Sequence, residues 1–242
     1  MDFLLTRLPF LGLWPRVAAL DNVLVPIRAS PLSSRMRRHL MRGGYESAER
    51  RLVAGLIKEG DHVLELGASI GILSSILWKT VGPHGRVLSV EANAELRPYF
   101  ERQMKVNNLE GEWIEVLGCP IWRDEVPDAV RHQRFAPSQN NLGGMASASH
   151  SENRVEARWC TARQICHQYR MEPTAMVIDV EGSEAVLSTT SPTFPPSLKT
   201  IIIEIHPLLI GQEIAAACVQ AVVDDGFRLA AFFGSVFGFR RR

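Results

Sequence analysis

The chain has 242 residues, enough at roughly 150 residues per domain for one large domain or one domain with a modest appendage. Its 46% hydrophobic and 22% charged residues, with a mean hydropathy near zero, exclude a disordered or fibrous protein. With 27 Lys and Arg against 26 Asp and Glu the net charge is +1, so no nucleic-acid partner is expected and any basic surface must be local.

The N-terminal run M-D-F-L-L-T-R-L-P-F-L-G-L-W-P is apolar. Asp2 stands where an export signal carries positive charge, and Arg7 and Pro9 break the run well short of the ~18 residues a spanning helix needs. Neither export nor a transmembrane segment is expected, and a cytoplasmic protein is. Cys119, Cys160, Cys166 and Cys218 lack both zinc-ribbon pairing and disulfide density. Cys160, Cys166 and His167 miss the partner pair of a metal corner, and two or three of the thiols read as small core hydrophobes. Arg28, Arg35, Arg37, Arg38, His39 and Arg42 cluster beside apolar surface, offering a peripheral membrane contact or an anionic-substrate contact. The plainer alternative is a solvated face on a segment folded over the domain. Residues 1–44 are thus read as an apolar and basic extension, and residues 45–242 as the domain.

Helical spacing of Leu52, Val53, Leu56 and Ile57 predicts a helix over 46–58 that stops at Gly60-Asp61. A buried strand over 62–66, a glycine-bounded loop and a helix over 70–80 make the first half of a βαβ unit. After the turn Gly82-Pro83-His84-Gly85 come a strand over 86–90, a helix over 95–107 and a third strand over 113–117. Regular alternation then lapses across 119–154, an excursion rich in Ser, Asn and Gly and too long for a tight connection. It resumes with a strand over 155–160, a helix over 161–169, strands over 175–180 and 199–205, a helix over 212–223 and a strand pair over 227–239 around Gly234. The expected fold is α/β: a doubly wound, mostly parallel Rossmann-like sheet with helices on both faces and a C-terminal antiparallel pair.

The loop Glu65-Leu66-Gly67-Ala68-Ser69-Ile70-Gly71 lets a ligand approach the backbone at a helix N-terminus. It lacks the middle glycine of G-x-G-x-x-G, so adenosine without a pyrophosphate suits it better than a dinucleotide. Glu91 ends the second strand, where nucleotide folds place an acid on the ribose hydroxyls, and Glu65 takes a nearby role with the ligand's amino group or the loop amides. Two further acidic strand ends follow, Asp179-Val180-Glu181-Gly182-Ser183-Glu184 and Glu204-Ile205-His206. Ser183 reads as the cap of the next helix and Glu184 as an acid at its positive end. Glu204 and His206 point to the same side of their strand.

Taken in order, Tyr45-Glu46 with Glu49, E-L-G-A-S-I-G, V-E-A-N at 90–93, Asn107-Asn108, I-D-V-E-G-S-E and I-I-E-I-H-P resemble the landmarks of the FkbM-type S-adenosylmethionine-dependent methyltransferases, which share the class I Rossmann-like fold. The resemblance implies S-adenosyl-L-methionine as cofactor, bound by Glu65, Gly67, Ala68, Ser69, Gly71, Glu91, Ala92 and Asp179, with Asp179 beside the transferred methyl. It implies O-methylation of a hydroxyl on a sugar, glycolipid or secondary metabolite, that is, a small-molecule or glycan acceptor. Three positions depart from the family: Glu65 and Ser69 stand where Asp and Asn are usual, and Val177 where a lysine is common.

A hydroxyl is a poor nucleophile at neutral pH, so a general base is expected, His206 first and then Glu181 or Asp179. Tyr45, Asn141 and Glu204 are the candidate acceptor contacts, with Asn140 and Gly143 in a loop closing over the site. A metal-assisted variant has Asp179, Glu181 and Glu204 holding a divalent cation, although no metal ligand is assigned. The same residues also suit an N-methyltransferase acting on an amine or peptide, and the missing lysine suits a catalytically silent assembly protein. The apolar N-terminus and the 232–239 segment suggest a homo-oligomer.

Overall fold

The structure, a computed structural model, describes residues 15–128, 158–189 and 193–242, and the backbone of two short strands in between. A hairpin of β1 (Ala18–Leu20) and β2 (Val23–Val25) precedes α1 (Ser34–Met41) and α2 (Ser47–Leu56). Alternation then runs β3 (His62–Leu66), α3 (Ile72–Val81), β4 (Arg86–Glu91), α4 (Arg97–Val106) and β5 (Glu112–Glu115). After β6 (Leu117–Cys119), β7 (Arg134–Pro137), β8 (Gly144–Ser147) and β9 (Trp159–Thr161) come α5 (Ala162–Gln168), β10 (Ala175–Ile178) and α6 (Val186–Thr189). The chain closes with β11 (Thr200–Glu204), α7 (Pro207–Ile210), α8 (Gln212–Asp224), β12 (Phe227–Phe233) and β13 (Val236–Arg241).

Seven strands form the main sheet in the order β12-β13-β11-β10-β3-β4-β5. The five from β11 to β5 are parallel, and β13 lies antiparallel between β11 and β12. This is the doubly wound, mostly parallel Rossmann-like sheet that the alternation predicts, with its C-terminal antiparallel pair. The period-2 pattern sorts its side chains into two cores. Val63, Val87, Val177 and Ile202 join α2 and α3 on one face. Leu64, Leu88, Met176, Ile178 and Ile203 join α5, α6 and α8 on the other. All four cysteines are buried and unpaired, and burial pushes the Cys119 and Cys166 thiols up to about 12.

Residues 18–41 have their own hairpin and helix, yet Leu20, Val23, Val25, Ile27, Leu32 and Leu40 are buried in the same apolar cluster as Leu52 and Val63. Asn107, at the end of α4, pins the hairpin. Its Oδ1 accepts from Leu24 N–H at 2.8 Å while its Nδ2 donates to Leu24 O at 2.8 Å, so its amide imitates a neighbouring strand. Arg28, Arg35, Arg38, His39 and Arg42 lie exposed on and around α1, and Arg37 is half-buried with a bond to Ser30 O.

The excursion after β5 is more regular than its composition suggests. Leu117, read as the end of the third strand, starts β6 instead and pairs with β9, while β7 and β8 pair antiparallel. The strand expected over 155–160 is described only as Trp159–Thr161. Thr161 then opens α5 with a capping box to Gln164. No described helix is long and apolar enough to cross a membrane.

Removing the Asn107 amide takes the side-chain acceptor from the Leu24 N–H and leaves Leu24 O with Gln103 Nε2 as its side-chain donor. N107A is therefore expected to destabilise the protein by about 1–3 kcal/mol, read as a lower urea midpoint, with N107D intermediate because only the acceptor survives.

Candidate functional site

The strand order reverses between β3 and β10, and in open α/β sheets ligands bind outside the carboxyl ends of the strands at such a point. Gly67, at φ +93, lies so close to the neighbouring chain that a Cβ would collide with the carbonyl oxygen of Asp179. Gly67 and Ala68 both donate their N–H to Val90 O, at 2.8 and 3.0 Å, so these amides tie the loop to β4. Ala68 itself is buried with Phe100 and Met104. Gly71, at φ +80, leads into α3 with no side-chain cap, leaving that helix end turned to the loop. The helix begins at Ile72, two residues later than predicted, because the left-handed turn runs on through Ser69, at φ +49, to Gly71.

Glu91 is organised for binding. Its Oε2 accepts from Ser69 N–H at 2.9 Å and its Oε1 from Asn93 N–H at 2.8 Å, which fixes the carboxylate. Burial pushes its pKa up, opposed by those amides. A carboxylate has about four acceptor positions, so capacity remains for two vicinal hydroxyls. Ala92 is half-buried beside it. The Ser69 Oγ is buried without a partner, a free polar atom in the turn itself.

Glu65 has a different role from the one expected. It is buried in the sheet, where its Oε2 accepts from Ser74 Oγ at 2.6 Å and Ser89 Oγ at 2.7 Å. Its Oε1 has no partner, and burial pushes the carboxyl up to about 7. Val177, where the family commonly has lysine, is register partner to Glu65 on β10 and faces the same core.

Asp179, Glu181, Glu204 and His206 converge next to Gly67. The His206 Nε2 lies 3.6 Å from Asp179 Oδ1, 3.5 Å from Glu181 Oε2 and 3.8 Å from Glu204 Oε2. Its other face is held by Glu184, which is 0% exposed: Glu184 Oε1 is 3.0 Å from His206 Nδ1 and accepts the His206 backbone N–H at 2.8 Å, and Oε2 accepts Gly182 N–H at 2.8 Å. Glu184 does stand in the first turn of the short helical turn, as expected from the sequence, and its carboxylate also reaches His206; Ser183 is not the cap, because the residue before that turn is Gly182, with no side-chain cap. The sequence signal for Glu184 is its place in I-D-V-E-G-S-E, since its partner lies 22 residues away.

This geometry removes His206 as the neutral general base. Burial opposes its charge, but the Glu184 bond together with the charges of Asp179 and Glu181 holds it up at about 9, so it is an imidazolium at neutral pH. The carboxylates move the other way. Burial and the charges of Glu204 and Glu181 push Asp179 well up, and burial also raises Glu181. Beyond them lies a group that the sequence marks only as landmarks. Burial pushes Glu46 up to about 8 and Glu49 up to about 7, and Glu49 hydrogen-bonds Glu204. Glu46, Ser69 and Glu181 all have positive φ, a backbone strain of about 1–3 kcal/mol each that tends to persist at functional sites. Tyr45 is buried against α2 and bonds the Glu46 side chain, so it lines the acid group from behind and presents no open face to an acceptor. Asn141, with Asn140 and Gly143, lies outside the described residues.

The model of the protein-L-isoaspartate(D-aspartate) O-methyltransferase family matches residues 47–119, under a third of the chain but the part that carries the glycine loop and Glu91. No curated protein matches the sequence. Among solved structures, the chain is similar to Aeropyrum pernix fibrillarin with natively bound S-adenosyl-L-methionine, at 15% identity over 79% of this chain and 73% of that one, TM-score 0.45. It is similar to the precorrin-6y C5,15-methyltransferase of Geobacter metallireducens GS-15, at 10% identity over 95% and 100%, TM-score 0.49. A third is M. jannaschii TYW2 in complex with AdoMet, at 12% identity over 93% and 86%, TM-score 0.43. With these TM-scores below 0.5, the functional reading rests on the site.

The raised carboxyls dictate how stability depends on pH. Glu46, Glu49 and Glu65 bind protons more tightly folded than unfolded, so their contribution is full below about pH 4.5 and is lost as pH rises through about 7 to 8. His206 acts in the same sense between about pH 6.5 and 9. Thermal unfolding of the ligand-free protein should give a lower midpoint at about pH 8 than at about pH 5.5, with a flatter profile for E46Q.

Proposed function

We propose that the chain is an S-adenosylmethionine-dependent methyltransferase of FkbM type that methylates a hydroxyl on a sugar, glycolipid or secondary metabolite. The observation that carries this reading is the Glu91 carboxylate, clamped by Ser69 and Asn93 N–H at the mouth of a glycine loop and directly beside an acidic cluster. The site fits the donor: Glu91 keeps acceptor capacity for the ribose hydroxyls, Ser69 Oγ is unpartnered, and the N-terminus of α3 is uncapped. The matched family model covers the stretch that carries this loop and Glu91.

The bound donor supplies a methyl group on a sulfonium, already a good leaving group. The chain's own task is therefore to hold the acceptor oxygen in line with that carbon and to take its proton. Asp179 and Glu181, their pKa values raised above the usual carboxylate range by burial and neighbouring acids, are the proton acceptors in this reading. His206 is the positioning cation that keeps them together.

Apolar surface beside the cluster supports an acceptor with a lipid-like or other apolar part. Leu208, two residues after His206, is 97% exposed, and Leu209 packs near Gly182. The exposed Arg28–Arg42 surface suits an anionic acceptor or membrane surface, and Phe232 on edge strand β12 suits self-association. The surplus of carboxylates favours one second reading, methylation of an amine that arrives as an ammonium.

Calorimetry should show micromolar binding of S-adenosylmethionine and none of NAD, with E91A weakening the donor by about 10–100-fold. Folded wild-type protein that binds NAD in preference, or ignores the E91A change, contradicts the reading.

A further inference from the structure

We infer that Asp179, Glu181 and His206 form a binding site for a first-row divalent cation. The inference deepens the methyl-transfer reading and rests on it for the ion's catalytic use. One ligand atom from each of these three residues lies within 4.8 Å of the other two. From Nε2 of His206 the carboxylate oxygens stand at 3.5 and 3.6 Å, and ligand atoms held tetrahedrally at about 2.1 Å from an ion lie about 3.4 Å apart. The two separations from His206 therefore match such a site to within a few tenths of an ångström.

Two observations outside the acid cluster point to an ion. The first is Glu184. Metal-ligating histidines usually give their second ring nitrogen to a carboxylate, which fixes the tautomer and aims the other lone pair. Buried Glu184 holds Nδ1 at 3.0 Å and the His206 backbone N–H at 2.8 Å, leaving Nε2 aimed between the carboxylates, where an ion would take the place of the Nε2 proton of the unliganded imidazolium. The second is Asp179 Oδ1, which is out of contact with solvent, has no hydrogen-bond partner, and faces Nε2. A polar oxygen with neither water nor a donor is costly to bury, and an ion removes that cost. The left-handed turn at Glu181 brings its carboxylate to the same point.

The set of two carboxylates and one imidazole differs from the all-acid trio read from the sequence. His206 takes the third position because Glu204 is committed elsewhere: its Oε1 accepts from Ser235 Oγ at 2.9 Å, and its carboxyl bonds Glu49. Such a mixed oxygen and nitrogen set suits Mn²⁺ or a neighbouring first-row ion. An acceptor hydroxyl on that ion ionises more readily. Its O–H bond breaks with the proton passing to Glu204 Oε2, the oxygen not bonded by Ser235, which takes over as proton acceptor when Asp179 and Glu181 hold the ion. The freed electron pair forms the O–C bond as the C–S bond of the donor breaks, leaving a neutral thioether.

The test is titration with Mn²⁺ alone, followed by electron paramagnetic resonance, on the full chain. Wild type is expected to hold one ion per chain, with E181Q and H206Q each weakening it at least about tenfold and E184Q by about 10–100-fold through loss of orientation. E181Q changes a partly exposed side chain, so it keeps the test valid even where the buried E184Q fails to fold. An ion absent from wild type, or held equally well by E181Q and H206Q, overturns the site. Donor binding measured on the same samples without Mn²⁺ separates the two claims. Donor bound without Mn²⁺ affinity overturns the metal site and leaves methyl transfer standing, whereas Mn²⁺ bound without donor affinity upholds the site and removes the role assigned to it.

Discussion

Everything at the site follows from one close approach, that of the Gly67 backbone to the carbonyl of Asp179 where β3 and β10 end side by side. Only a residue without a Cβ can sit there, and φ +93 selects glycine a second time. Because the strand order reverses at this pair, the loop leading into α3 opens on one side and the acidic strand ends of β10 and β11 on the other. The glycine turn and the acidic cluster become neighbours without any long connection between them.

The price of that convergence is electrostatic. Two carboxylates about 4 Å apart repel by about 4 kcal/mol at an effective dielectric of 20, and several meet here. The fold answers by placing His206 among them and anchoring it through Glu184, so that one buried acid organises a ring, two backbone amides and three other acids. Hydrogen bonds to a charged group are worth about 1.5–3 kcal/mol each, enough for three of them to offset the burial of Glu184. Glu46 and Glu49 extend the acidic field and respond to it by holding protons near neutrality. The site is thus poised to exchange protons or to accept a cation.

Much of this is legible in the sequence because it is local. Strand, glycine loop and helix are contiguous, Glu91 announces itself at a strand end, and the two acidic phrases sit where parallel strands stop. What is not legible depends on pairs far apart in the chain. The charge of His206 is set by Glu184, 22 residues earlier. The hairpin is docked by Asn107, 83 residues from Leu24, so the N-terminal segment reads as an appendage until its core contacts are seen. Val177 looks like the loss of a catalytic cation until its register against Glu65 shows that Ser74 and Ser89 already serve that carboxylate. Tyr45 reads as an acceptor contact because its burial comes from tertiary packing, which no local pattern encodes.

The most direct measurement is a crystal structure of the protein with S-adenosylhomocysteine. The ribose hydroxyls should lie on Glu91, the ligand should run along the Gly67 to Gly71 turn, and its sulfur should face the Asp179 and His206 cluster. A ligand bound away from that turn, or with its sulfur turned from the cluster, would contradict the assignment of this sheet edge as a methyl-transfer site.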